Sequence, residues 1–173
     1  MKKLQKGCAV TLLIGVFCFF CGCVSAYPNR EWQYEVERRQ RIGESLQLDL
    51  LDSVCIEHWS NRGWFADGNE LTVLELSENA LAELYEKFDE EKSKWHALPF
   101  SEESYDLVYG GSGYFTDHRD DTKVLPYIEN GYWWSTCYKY ENEGEPEVCV
   151  AANFDFALFD ADMGRLYYYE YDS

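Results

Sequence analysis

The chain has 173 residues, room for one domain, and carries 32 acidic against 15 basic residues, a net charge of −17 at pH 7. Such a surface repels nucleic acid and anionic lipid heads, which need a basic footprint, so the expectation is no nucleic-acid partner. A mean hydropathy of −0.45 argues against a polytopic membrane protein and leaves a water-facing domain.

Residues 1–26 read as an export signal. Lys2, Lys3 and Lys6 form a positive head and Ala9 to Phe20 an apolar stretch, followed by small residues. Phe20-Cys21-Gly22-Cys23 resembles a bacterial lipobox, in which the cysteine receives diacylglycerol before cleavage; Phe20 departs from the usual leucine. This makes Cys23 the candidate lipidation site, with two acyl chains as a stable anchor in the lipid bilayer. The competing site is Val24-Ser25-Ala26, with secretion after Ala26; an uncleaved anchor over Cys8 to Val24 is short for a span. Without residues 1–26 the chain keeps 12 basic and 32 acidic residues, a net of −20. Solubility accounts for that charge, and so does a basic protein partner.

Residues 27–46 read as a polar tether, helical in part, with alternating charges at Glu35, Glu37, Arg38, Arg39, Arg41 and Glu44. Residues 47–173 read as a single domain. Leu48 to Trp59 and Leu71 to Leu76 form a hairpin whose tip carries Trp64 and Phe65. Ser77 to Trp95 is the main helix. Ser77 caps it, Leu76 and Leu81 staple its start, and Ala80, Leu81, Leu84, Tyr85, Phe88 and Trp95 make one apolar face. Ser101 to Tyr109 forms a second short helix, ended by Gly110-Gly111, and 112–126 is loop.

Gly131 to Asp172 holds 12 of the chain's 30 aromatics and reads as a three-stranded meander. Placing Cys137 opposite Cys149 also sets Lys139 opposite Glu147, an attractive cross-strand pair. The same register sets Trp133 opposite Asn153 and points Trp133 outward. Val148, Val150, Ala152, Phe154, Phe156 and Leu158 then share the core face. In the last hairpin Asp160 closes against Arg165, bringing Leu158, Phe156 and Phe154 opposite Tyr167, Tyr169 and Tyr171. The fold class is therefore α+β: an antiparallel sheet of about five strands, hairpin plus meander, with one main amphipathic helix packed on it.

No spacing spells a catalytic, cofactor-binding or metal site. Asp160-x-Asp162-x-Gly164 lacks the glycine position and the glutamate of a calcium loop and reads as a hairpin turn. Asp117-His118-Arg119-Asp120-Asp121 reads as a solvated loop. Export favours a Cys137–Cys149 disulfide and leaves Cys55 over. A Cys55 nucleophile with His58, His96 or His118 as base is the weakest reading. Trp59, Trp64, Phe65 and the outward Trp133 are exposed aromatics, and Trp64, Phe65 and Trp133 form a candidate partner surface, against the alternative of a second core layer.

One resemblance rests on residues in a recurring order: Gly63-Trp64-Phe65-Ala66-Asp67-Gly68, Trp95-His96-Ala97-Leu98-Pro99, Ile128-Glu129-Asn130-Gly131-Tyr132-Trp133, Asn153-Phe154 to Ala157, Asp160, Asp162, and Leu166-Tyr167-Tyr168-Tyr169-Glu170. This order resembles small exported, lipoprotein-like proteins of Gram-positive bacteria without an assigned activity. It covers roughly the last two-thirds of the chain. Its motifs are turns and strands, so the resemblance implies no catalytic residues; the Cys137/Cys149 pair lies outside its pattern. The sequence thus points to a non-enzymatic module outside the cytoplasm, membrane-anchored, or alternatively to an inhibitor or immunity-like protein that binds a basic partner.

Overall fold

The computed structural model describes residues 31–62, 68–90, 93–111, 113–117, 122–140 and 146–172. Cys23 and the hairpin tip Trp64-Phe65 lie outside the described residues, as does the 118–121 part of the polar loop. The chain falls into two units, Met1–Arg41 and Ile42–Ser173. In the first, residues 31–41 are helical. The second opens with helical residues 42–46, here α1. Gln47 stops α1 in the left-handed region at φ 57°, and the Leu48 N–H returns to the Gly43 carbonyl at 2.9 Å, a helix-ending loop that normally takes glycine. Ile42, Leu46, Leu48 and Leu50 are all buried.

The second unit is α+β. Strands β1 (Val54–Ser60), β2 (Gly68–Glu75), β3 (His96–Ala97), β6 (Gly131–Ser135), β9 (Asn153–Asp160) and β10 (Arg165–Asp172) form one antiparallel sheet in the order β1-β2-β10-β9-β6-β3. This is the expected hairpin and meander, joined where β2 pairs with β10, with the two-residue β3 added at the edge. Two short ribbons stand apart: β4 (Thr116–Asp117) with β5 (Thr122–Lys123), and β7 (Tyr138–Tyr140) with β8 (Pro146–Val148).

Helix α2 (Glu78–Phe88) starts as its sequence dictates. The Ser77 side chain accepts the Ala80 N–H at 3.2 Å, and Glu78 sits in the positive first turn. The helix ends at Phe88, seven residues before the expected Trp95. Its last turn tightens at the C-cap Asp89, whose N–H reaches the Glu86 carbonyl at 3.2 Å, and further on the Ser93 hydroxyl accepts the Trp95 N–H at 3.1 Å, a local turn in place of helix. The apolar spacing survives because Trp95 folds back onto Phe88, ring centroids 5.5 Å apart. Helix α3 (Glu102–Tyr109) keeps its expected limits, with Ser101 accepting the Ser104 N–H and Gly110 as the C-cap.

Both faces of the sheet are covered. On one, Leu74, Leu166, Tyr168, Ala157, Phe159 and Trp134 pack with Ala80 and Leu84 of α2 and with Ile42 to Leu50. On the other, Leu71, Val73, Tyr169, Phe154, Phe156, Leu158 and Trp133 pack with Val108 and Tyr109 of α3 and with Phe115, Leu125 and Ile128. Aromatic pairs bind the layers: Phe88 stacks on Tyr132 at 3.6 Å and Phe115 meets Phe156 edge-on at 5.0 Å. Each such pair adds about 0.5–1.5 kcal/mol beyond burial.

The last hairpin has the expected register: Arg165 faces Asp160, and Leu158, Phe156 and Phe154 face Tyr167, Tyr169 and Tyr171. Its turn is held by Asp160, whose carboxylate accepts the N–H groups of Asp162 and Met163 at 3.0 Å, with Gly164 at φ 63°. The meander's first pairing departs from expectation. Cys137 and Cys149 are joined by a disulfide, and Lys139 faces Glu147 as expected. Ser135, however, faces Phe156 rather than Ala151, so the partner strand advances seven residues where two would do. Five residues are looped out. The Thr136 hydroxyl fixes the junction, accepting the Asp155 N–H at 2.8 Å.

An odd slip turns every side chain of β6 to the opposite face. Trp133 therefore faces Leu158 instead of Asn153, and at 2 % exposure it is core. This corrects the outward Trp133: it lies against Phe156, Phe100 and Tyr138 and is no partner surface. The slip also takes Val150 and Ala152 out of the strand; Ala152 is exposed. In the first hairpin a bulge between Cys55 and Glu57 breaks the alternation, and Val54 and Ile56 are exposed.

Gly131 is required by close approach. A Cβ there would lie 1.9 Å from the Phe159 carbonyl oxygen of the paired strand. Gly131→Ala must push β6 off β9, at a cost of about 3 kcal/mol. The expected thermal shift is roughly 6–12 °C downward for a domain of this size, read by circular dichroism melting; an unchanged melt contradicts the close approach.

Candidate functional site

Two polar arrangements stand out in the second unit. The first crosses the sheet. Register places Glu70, Glu170 and Asp155 side by side on β2, β10 and β9. Glu70 and Glu170 are both largely buried. Like charges in adjacent cross-strand positions repel, so this row needs cations. Arg62 supplies one, with Nε 3.6 Å from Glu70 and Nη2 3.5 Å from Glu170. His58 Nδ1 lies 3.9 Å from Glu70 and 3.4 Å from the Thr72 hydroxyl. At the other end the Ser45 hydroxyl donates to Asp155 at 3.3 Å, and the buried Tyr168 phenol interacts with both. Burial foremost, then the Asp155 charge, pushes the Tyr168 phenol far up, so it stays protonated. The row is a compensated network spanning three strands, flanked by an open cleft of about 230 Å³ at Arg62, Thr136, Asn153 and Asp155. Among the described residues, no group of three His, Cys, Asp or Glu side chains could hold a metal ion.

The second arrangement is built on α3 and on the ribbon β7–β8. The Ser104 hydroxyl, buried, accepts the Val148 N–H at 3.0 Å, and Ser101 donates to Glu147 at 3.2 Å. These bonds tie the start of α3 to β8. Glu147 is 1 % exposed. Lys139 lies 3.6 Å from both Glu147 and Glu103. Glu103 first, and then Glu147, holds the Lys139 ammonium above its usual range. Beside it, Ser101, Glu102, Glu103, Asp106 and Glu147 line an open groove of about 420 Å³. The groove can attract cations, since four carboxylates outweigh one ammonium.

Next to the acidic groove lies an aromatic cleft of about 290 Å³ with Pro99, Phe100, Tyr105, Tyr109, Tyr127 and Glu129 in its walls. Tyr105 and Tyr109 are one turn apart on α3 and meet edge-on at 5.1 Å; Tyr127 stands edge-on to both, at 6.3 and 5.8 Å. The Tyr109 hydroxyl donates to the Pro126 carbonyl at 2.9 Å. Burial, reinforced by the neighbouring tyrosines, pushes its phenol up to about 12, so it is a fixed donor at neutral pH. Tyr105 and Tyr127 remain 43 % and 63 % exposed.

The disulfide joins Cys137 and Cys149, and the nearby ribbon carries Glu147. Cys55 takes no part in the disulfide, and its Sγ donates to the Glu57 carbonyl at 3.4 Å. His96 lies between Trp133 and Tyr138, 4.5 and 4.9 Å away, and burial lowers its pKa, which favours neutral imidazole. Trp59 is half-buried against the second core. Sequence reasoning does not single out the tyrosine cleft. The available signal was Glu102, Tyr105, Asp106 and Tyr109 at three- and four-residue spacing, a helix stripe that is aromatic and acidic at once.

Comparison of the chain with protein-family models, curated proteins and solved structures finds no match. The reading of both arrangements therefore rests on their own chemistry.

Arg62→Ala leaves Glu70 and Glu170 adjacent without the guanidinium between them. The expected loss is about 1–3 kcal/mol, below that of a fully buried pair because Arg62 is partly exposed. Urea unfolding at pH 7 reads it. Arg62→Lys recovers only part, since one ammonium does not span two carboxylates as a planar fork does.

Proposed function

We propose that this chain is a non-enzymatic binding module held on the outer face of a cell membrane by a diacylated Cys23, and that its partner is a basic protein. What supports the anchor is the order Lys2, Lys3, Lys6, apolar stretch, Gly22-Cys23. The resemblance to small exported, lipoprotein-like proteins of Gram-positive bacteria agrees with it. What carries the binding reading is the acidic groove, where Glu102, Glu103 and Asp106 stand open to solvent beside Glu147 in a chain of charge −17. Long-range attraction from such a surface speeds encounter with a basic partner and rejects acidic ones.

Two measurements test this. Intact mass spectrometry of the membrane-associated protein should give an N-terminal Cys23 carrying diacylglycerol; a free N-terminal Tyr27 sinks the anchor. Hexa-lysine peptide should bind the full chain at low salt and weaken at least about tenfold at 0.5 M NaCl, where screening shortens to a few ångströms. Glu102→Gln, Glu103→Gln and Asp106→Asn together should weaken it comparably. Affinity that ignores both salt and the triple substitution contradicts the acidic groove as the docking surface.

A further inference from the structure

Tyr109 and Ile128 tie the aromatic cleft to the second core, while Tyr105 and Tyr127, two of its three tyrosines, keep large exposed faces. Such residues usually turn their rings inward, so an exposed cluster of this kind asks for an occupant. Its geometry says what kind. Tyr105, Tyr109 and Tyr127 all line the cleft and meet edge-on instead of stacking on one another, and Tyr105 and Tyr127 keep exposed ring surface beside it. The charged residue in the lining is a carboxylate, Glu129. Glu102 and Asp106 lie on the same stripe of α3 as Tyr105 and Tyr109, at the spacing that makes helix neighbours. Ring faces and carboxylates together attract a cation that can also lie flat against an aromatic ring.

Resting on the basic-partner reading above, we infer that this cleft seats an arginine side chain of a basic peptide segment. The guanidinium lies on the exposed tyrosine faces, and a carboxylate at the rim takes its N–H groups. Lysine fits less well: its ammonium is compact and strongly hydrated, whereas a guanidinium stacks and keeps its donors free in the ring plane. The acidic groove at the start of α3 gives neighbouring basic residues a second hold. The interaction is therefore a tyrosine-anchored arginine with charge-steered flanks. It differs from a diffuse charge contact because it discriminates arginine from lysine.

The test uses the full chain in detergent with labelled hexa-arginine, hexa-lysine, hexa-citrulline and hexa-proline peptides. Expected are tighter binding of hexa-arginine than of hexa-lysine, and at least tenfold weaker binding of the uncharged hexa-citrulline. Tyr105→Ala combined with Tyr127→Ala should weaken hexa-arginine about tenfold and erase its advantage over hexa-lysine. Tyr105→Phe combined with Tyr127→Phe, which keeps the rings, should bind as the parent does. A thermal melt checks that the exposed substitutions leave the fold intact. If the double alanine variant keeps the arginine preference, the cleft assignment is wrong while the acidic groove stands. If hexa-citrulline or hexa-proline binds as well as hexa-arginine, the occupant is not cationic and the inference falls. If neither basic peptide binds at low salt, both the cleft and the basic-partner reading fall.

Discussion

Strand β10 pairs along all eight of its residues on both sides, with β2 and with β9. Those two ladders lock the hairpin and the meander into one sheet, and both faces of the strand are buried at its centre, where Tyr168 and Tyr169 point into opposite cores. A strand covered on both faces cannot slip by one residue without exchanging the contents of two cores. The run Leu166 to Tyr169 meets that demand because tyrosine packs a large ring at either side while its hydroxyl reaches a polar partner: Tyr168 toward Ser45 and Asp155, Tyr169 toward the Tyr114 carbonyl. The same locked register also forces Glu70, Glu170 and Asp155 into one row. The carboxylate row is thus a consequence of β10's pairing, and Arg62 and His58 are part of its cost.

How much of this was legible in the sequence depends on range. Ser77 and Ser101 as helix caps, Gly110 as a stop, and the Asp160–Arg165 turn follow from chemistry within a few residues, and all appear where the local signals put them. The Cys137–Cys149 and Lys139–Glu147 pairs are also local to one ribbon. Trp133 departs from its expected face because that ribbon's register does not continue into the main sheet. Alternation of apolar residues from Val148 to Leu158 runs unbroken through the looped-out segment, so periodicity carries no mark of the slip. What decides it is Thr136 bonding Asp155 and Trp133 finding Leu158, contacts set by tertiary packing. In α2 the apolar spacing likewise outlasted the helix, because Trp95 returns to the same core through a turn made by Ser93.

The candidate site was less legible than the fold. Its residues come from four stretches: Pro99-Phe100, α3, Tyr127 to Glu129, and the ribbon. Only α3 has a periodic signal. In sequence Tyr105 and Tyr109 look like a core stripe. In the structure the stripe is divided, since Tyr109 is buried with its hydroxyl on Pro126 while Tyr105, one turn earlier, reaches the surface. Nothing in the order of residues says where along a helix a core ends.

Among the described residues the ribbon that carries Glu147 pairs with no strand of the main sheet. A two-stranded ribbon alone is marginal in water. Here the disulfide closes it, Tyr138 and Val148 pack into the second core, and α3 adds the bonds from Ser104 to the Val148 N–H and from Ser101 to the Glu147 carboxylate. Glu147 is therefore held in place by contacts that lie outside the sheet, and so is the acidic groove it lines. Under the proposed reading these parts are linked. Thiols are oxidised outside the cytoplasm, export takes the chain there, and the closed ribbon then sets the buried carboxylate against the open ones of α3. The binding face would be assembled by the compartment in which it is used.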